Sequence, residues 1–347
     1  MRAVTPPDPL SIRGRGVPPA NLPRVRPANF GPAMSLLVVC LDALRPDHVT
    51  PEIMPNLCDF LGHGHRFEGV QTPKGWTLPS VGSMLYGRED AFMAGPANMV
   101  GHPTIAGRLA GTHATAAFLG QPVFKCWDGL WMFRDFGHVA PYSTGKWTPR
   151  PIAQILPQLD TWRAGLLTGL PWFAYVHFVE PHEPYLPEAW YGAWESPPEK
   201  SKSLSAGSIR GLVDAETGRL KASDAVADYL RRRYRAYCTA ADGALAPLWE
   251  QVLAEKDLAT IVVSDHGDGM GEDGVWHHSG LPAFQKREIL EVLFGAVPPG
   301  GRWPRGIPGN VTTNAELWRL VEACLPRGAG SDEAQVREKL AAIGYLE

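Results

Sequence analysis

The stretch Ile261-Val-Val-Ser-Asp-His-Gly-Asp-Gly-Met-Gly-Glu-Asp-Gly-Val-Trp-His-His-Ser-Gly280 decides how the chain is read. Three β-favouring apolar residues run into Asp265-His266-Gly267, then a glycine-rich loop, then paired histidines. A buried strand ending in adjacent carboxylate and imidazole groups sets two metal-ligand types at the carboxyl edge of a sheet. That edge is where open α/β sheets bind ligands. Glycines 267, 269, 271 and 274 let the loop fold back, returning His277 or His278 toward the same spot. The competing reading is a strand end followed by a polar surface loop, so the rest of the chain has to decide.

Working outward, Leu258 to Ser264 completes that strand, and Ser35-Leu-Leu-Val-Val-Cys-Leu41 is a second continuous apolar run. Such runs are the mark of central strands covered on both faces. The second run delivers Asp42, which alone reads either as a metal ligand or as a turn residue. Further strands are expected from His113 to Gly120, Pro171 to Val179 and Ile289 to Val297. Met54 to Leu61 reads as a short helix with Pro55 in its first turn. Ser223 caps a long amphipathic helix carrying Val226, Leu230, Tyr234, Tyr237, Ala241, Leu245, Leu248 and Val252 at steps of three and four. A closing helix is expected from Asn314 to Cys324.

Pro79 belongs in the first turn of a helix beginning near Thr77. Free N–H groups and the positive end of the helix dipole favour an anion there. A hydroxyl at that point is placed to act as a nucleophile, and the alternative makes Thr77 a simple N-cap. Glu180-Pro-His-Glu-Pro-Tyr185 is a proline-braced loop beyond a strand end, able to aim His182. The stretch 121–150 is rich in aromatic residues (Trp127, Trp131, Phe133, Phe136, Trp147), and residues 188–223 read as a polar segment covering a cleft.

The chain has 347 residues, 44% of them apolar and 20% charged, with a net charge of −3. That mixture supports a full hydrophobic core and excludes a dedicated nucleic-acid binder, which needs a basic excess. Five scattered cysteines without CxxC spacing read as reduced thiols, and no apolar run is long enough to span a membrane. The expected location is cytoplasmic. Residues 1–33, with eight prolines, read as an extension without a core of its own, and 34–347 as a single catalytic domain.

Six pieces together resemble the sulfatase branch of the alkaline phosphatase superfamily, in the family's order. They are Leu41-Asp-Ala-Leu-Arg-Pro-Asp-His48, Met54-Pro-Asn-Leu57, Trp76-Thr-Leu-Pro-Ser-Val-Gly-Ser-Met-Leu-Tyr-Gly87, His177-Phe-Val-Glu-Pro-His-Glu-Pro-Tyr185, the long helix with Tyr237 and Asp242, and Ser264-Asp-His-Gly267. The resemblance implies an α/β fold, a large mixed and mostly parallel sheet sandwiched between helices. It implies metal ligation by Asp42, Asp265, His266 and Thr77, with Thr77 at the nucleophile position and His182 and His278 as substrate or leaving-group contacts. Glu180, His277 and Lys74 are further candidates for a second metal or for substrate.

The departures from the family are informative. Sulfatases carry Cys, occasionally Ser, in a Cys-x-Pro-Ser-Arg motif that is oxidised to formylglycine, whereas this chain has Thr77-Leu-Pro-Ser-Val81. Thr at this place is typical of the superfamily's phosphodiesterases and of its phosphoethanolamine and glycerol-phosphate transferases. Sulfatases also pair two carboxylates at the first strand end, where this chain has Asp42-Ala43. One hard oxygen ligand fewer, with His266 kept, shifts the expected metal from calcium toward zinc or manganese. The expectation is a hydrolase of small anionic phosphate esters, phosphodiester or phosphomonoester, using one divalent metal, with a second left open, through a phosphothreonine intermediate. The alternatives are a sulfatase-like hydrolase or group transferase and, more remotely, a non-catalytic binding protein on the same fold.

Overall fold

A computed structural model describes residues 34–140, 150–167, 169–187 and 195–325. The N-terminal extension, Trp147 and the first part of the 188–223 segment lie outside the described residues. The strands are β1 (Ser35–Leu41), β2 (His65–Arg66), β3 (Ala114–Leu119), β4 (His138–Ala140), β5 (Trp172–Phe178), β6 (Leu258–Ser264), β7 (Gly269–Met270), β8 (Trp276–His277) and β9 (Phe294–Val297). Seven of them form one sheet in the order β2-β9-β6-β1-β5-β3-β4, and β7 pairs with β8 in a separate ribbon. The pairs among β6, β1, β5, β3 and β4 are parallel, while β9 runs antiparallel to β6 and β2.

The five main helices are α1 (Pro55–Gly62), α2 (Thr77–Tyr86), α3 (Ile152–Ala164), α4 (Asp224–Ala254) and α5 (Leu317–Cys324). Because side chains alternate along a strand, β1 feeds two cores. Leu37, Val39 and Leu41 pack with α1, α3 and α4, whereas Leu36, Val38 and Cys40 pack with α2 and α5. This explains why β1 and β6 read as continuous apolar runs, since neither face meets water. The Ser223 hydroxyl accepts from the Val226 N–H and caps α4, as its place in the sequence implied.

The stretch from Ile289 to Val297 departs from the expected strand. Arg287–Leu290 closes a one-turn helix, and β9 begins only at Phe294. The reason lies in its carbonyls: Ile289 accepts from the Gly267 N–H and Leu290 from the Thr72 N–H, so they serve neighbouring loops rather than a ladder. Gly267 itself has no room for a side chain, as a Cβ there would lie 2.0 Å from the Glu288 carbonyl oxygen.

Candidate active site

The register of the central strands builds the site. β1 and β6 are parallel neighbours with Leu41 opposite Ser264, so Asp42 and Asp265 emerge side by side although 223 positions apart in sequence. Both side chains are fully buried. Asp265 Oδ1 accepts from the Ala43 and His266 N–H groups, at 3.1 and 2.9 Å. Asp42 Oδ2 accepts from Gln121 Nε2 at 2.7 Å and from His177 Nε2 at 3.2 Å. The other oxygen of each carboxylate, Asp42 Oδ1 and Asp265 Oδ2, is buried without a hydrogen-bond partner among the described residues.

His266 completes the arrangement. Its Nδ1 donates to the Gly267 carbonyl at 2.8 Å, which leaves the lone pair of Nε2 facing inward. Nε2 lies 3.5 Å from Asp42 Oδ1 and 3.5 Å from Asp265 Oδ2, and the Thr77 hydroxyl donates to it at 3.3 Å. Two buried, unpartnered carboxylate oxygens, an imidazole lone pair and a hydroxyl converge on one small volume. Buried charges of one sign require a cation or a proton, and a mixed O/N donor set of this kind suits a divalent ion of the zinc or manganese type. Burial and the neighbouring Asp42 hold the Asp265 carboxyl above its ordinary range. Asp42 is held below its own: burial opposes ionisation, but His182, His177 and His266 outweigh it.

His177 is also within reach of both carboxylates. Its two ring nitrogens are already engaged, Nδ1 by the Tyr175 hydroxyl at 2.9 Å and Nε2 by Asp42. It therefore orients Asp42 and leaves the inward position to His266.

Thr77 is the first residue of α2, and Trp76 occupies the N-cap position without a side-chain capping bond. The N-cap alternative for Thr77 thus fails: its hydroxyl is aimed at His266, not at the helix backbone. A buried network holds the helix in place. The Ser80 hydroxyl donates to the Asp265 carbonyl, and Asn314 Nδ2 donates to Ser80 Oγ at 2.8 Å.

The β7–β8 ribbon returns the paired histidines as the glycine pattern implied. Gly271 sits at φ 101°, a conformation open to glycine, and turns the chain between the two strands. His277 and His278 both line the cavity above Thr77, with His182 opposite; the His278 ring is 4.2 Å from that of His266 and 4.9 Å from that of His182. Burial, together with the His277 and His266 rings, drives the His278 imidazole well below its ordinary pKa. For His182 burial acts the same way, but Asp42, Glu183 and Asp268 outweigh it and the imidazole is held above its ordinary value.

Asp268 is a site residue that the sequence reading missed. It is fully buried, accepts from His278 Nδ1 at 2.9 Å and from the Tyr185 hydroxyl at 2.6 Å, and its carbonyl accepts from Arg45 at 3.1 Å. With His277 it forms a second compact group of metal-ligating types. The available signal was a third acidic-or-imidazole residue three positions after Asp265, inside the same loop.

Two candidates fall elsewhere. Glu180 turns away from the cavity: its Oε1 accepts from the Ile152 N–H at 3.0 Å, at the N-terminus of α3. The free N–H groups of that helix end draw the carboxylate away from Asp42, Asp265 and His266. Lys74 is exposed on the loop before α2 and is not part of the cavity wall.

The cavity above Thr77 measures about 380 Å³. The aromatic stretch contributes Val123 and Trp127 to its wall, and the covering segment contributes Arg210, Val213 and Ala215. Among the described residues no helix is long and apolar enough to cross a membrane.

A family model described as Sulfatase matches residues 36–292. No curated protein matches the sequence. Among solved structures, the C-terminal periplasmic domain of EptC from Escherichia coli in complex with zinc superposes with a TM-score of 0.58 at 14% identity, over 84% of this chain and 82% of that one. The phosphonate monoester hydrolase of Agrobacterium radiobacter gives 0.56 at 16% identity, over 82% and 72%. The integral membrane lipooligosaccharide phosphoethanolamine transferase A from Neisseria meningitidis gives 0.57 at 14% identity, over 87% and 56%. At such identities the superpositions establish the fold, a mostly parallel sheet between helix layers. With the family model spanning most of the described core, the chain belongs to the sulfatase family of the alkaline phosphatase superfamily.

Proposed function

We propose that the protein is a metal-dependent hydrolase of small anionic phosphate esters, working through a covalent phosphothreonine at Thr77. The observation that carries this reading is the Thr77 hydroxyl at the mouth of a fully buried Asp42–Asp265–His266 group with two unpartnered carboxylate oxygens. Those three residues and Thr77 would hold one divalent cation, zinc or manganese in preference to calcium, and the zinc in the fold relative from E. coli supports that choice. When bound, such an ion lowers the pKa of a neighbouring hydroxyl and stabilises charge on the transferred group.

The chain's own residues then divide the reaction in two. Thr77 Oγ1, as the alkoxide, attacks phosphorus; the new P–O bond forms as the bond to the leaving oxygen breaks. His182, on the cavity wall and held above its ordinary pKa, gives a proton to that oxygen, while His278, its Nδ1 proton committed to Asp268, stays neutral beside it. A water then attacks the phosphothreonine, passing its proton to the same imidazole and freeing Thr77. The α2 N-terminus, with its unpaired N–H groups, supports the phosphoryl oxygens throughout.

Threonine in place of the cysteine needed for formylglycine weighs against ordinary sulfate-ester hydrolysis, and the phosphonate monoester hydrolase among the fold relatives weighs toward phosphoryl chemistry. Transfer to an acceptor other than water is the second reading, favoured by the fold shared with a phosphoethanolamine transferase.

The test is Thr77→Ala, expected to lower turnover of bis-nitrophenyl phosphate by about 10³-fold or more with the thermal transition kept. Near-wild-type rates would sink the assignment. Running nitrophenyl phosphate and nitrophenyl sulfate beside it separates the ester classes.

A further inference from the structure

The cavity above Thr77 is unevenly built. One side holds the hydroxyl and imidazoles, while the remainder is mostly apolar (Trp76, Val123, Trp127, Val213, Leu281 and Phe284), broken by Gln121, Arg210 and Ser279. Trp127 and Leu281 are 55% and 45% exposed and belong to the small set of large apolar side chains left open to solvent. Single exposed apolar residues are ordinary, but two facing one cavity beside a nucleophile mark a binding wall.

The wall is also fixed in position. The Trp76 ring meets Phe92 edge-on at 5.6 Å and Trp127 at 5.7 Å, and a side chain at Gly280 would strike its Nε1 at 2.7 Å. The indole next to the nucleophile is thus held on three sides before any ligand arrives. Rigid aromatic surface of this kind binds flat apolar groups at low entropic cost.

The charge on the wall is sparse. Among the described lining residues, Arg210 is the one permanently charged side chain, and it already faces Glu183 Oε1 at 3.3 Å. No lysine, aspartate or glutamate is among them. A phosphate monoester dianion brings three free oxygens and a second charge that this wall leaves uncompensated. A diester brings one charge and a second substituent that needs somewhere to go.

We propose that the substrate is a singly charged phosphate diester with a flat apolar substituent seated against Trp76, Trp127 and Leu281. This deepens the phosphoryl-transfer reading given above and rests on it for the identity of the central atom. A small polar substituent such as an ethanolamine group would leave the indoles exposed and gain nothing from the wall.

Binding of esters to the metal-loaded Thr77→Ala protein, which lacks the attacking hydroxyl, tests this without turnover. Benzyl methyl phosphate should bind at least about tenfold more tightly than dimethyl phosphate or 2-aminoethyl methyl phosphate by titration calorimetry. It should also bind more tightly than benzyl phosphate, the dianion. Trp127→Ala, at an exposed position, should bring the benzyl-to-methyl ratio down toward one. Equal affinities for the benzyl and methyl diesters, or preference for the dianion or the aminoethyl ester, would overturn the proposal. Benzyl sulfate in the same series keeps the two claims apart. If it binds more tightly than either phosphate, the apolar monoanion pocket stands and the phosphoryl reading falls.

Discussion

Asp42 and Asp265 each have one oxygen tied to protein donors and one left bare, and the tied oxygens decide where the bare ones point. Gln121 Nε2 at 2.7 Å is the shortest contact to Asp42, so Gln121→Ala should let that carboxylate rotate. Metal affinity, read by competition with a zinc-binding dye, should fall about 10- to 100-fold while the thermal transition stays near that of the wild type. Glu180 shows a different residue-scale effect. Burial at the α3 N-terminus raises its pKa from the ordinary 4.5 to about 7, against the opposing Ile152 N–H. The folded state therefore binds the proton more tightly than the unfolded chain. Its contribution is fully present below pH ~4.5 and is lost as pH rises to ~7, an effect of about 3 kcal/mol. Glu180→Gln should remove that part of the pH dependence, and urea unfolding at pH 5 and pH 7.5 measures the difference. A wild-type curve no steeper than the variant's would refute the buried, proton-holding carboxyl.

At the scale of elements, α2 is the piece whose placement counts. All ten of its residues are buried, and four of them (Thr77, Ser80, Ser83 and Tyr86) carry hydroxyls inside the protein, where such groups need partners. Asn314, at the start of the closing helical segment, satisfies several at once: it accepts from Ser83 at 2.7 Å and donates to Ser80 at 2.8 Å and Thr72 at 3.2 Å. Ser80 in turn reaches the Asp265 carbonyl, so one asparagine links α2 to the end of β6. Asn314→Ala leaves these buried groups short of partners and should cost about 3 kcal/mol in denaturant unfolding. Turnover should fall with it, since a shift of α2 moves Thr77. The α4 helix has a comparable role toward α1: Asp242 accepts from the Asn56 and Leu57 N–H groups at 3.0 and 2.8 Å, capping a helix that has no cap of its own.

Over the whole molecule, the two helix layers and the sheet converge on a single carboxyl edge where like charges meet. Removing divalent metal with a chelator should therefore lower the melting temperature as well as abolish turnover. Zinc or manganese added back at about 100 times its dissociation constant should restore roughly 2.7 kcal/mol, and calcium should do so poorly. An unchanged melting temperature on chelation would argue against metal at Asp42, Asp265 and His266. The order of elements and the chemistry at the strand ends were legible in the sequence, because central strands are apolar on both faces and helix caps are local. Thr77 could be read from Pro79 and the helix start; Asp42 and Asp265 from the strands they terminate. What needed the tertiary structure was adjacency. Only the β1–β6 register sets Asp42 beside Asp265, only the β7–β8 ribbon carries Asp268 under His278, and only the α3 N-terminus claims Glu180. A sequence pattern reports which face a residue shares with its near neighbours, whereas long-range strand register and competition for buried hydrogen-bond donors are settled when the layers pack.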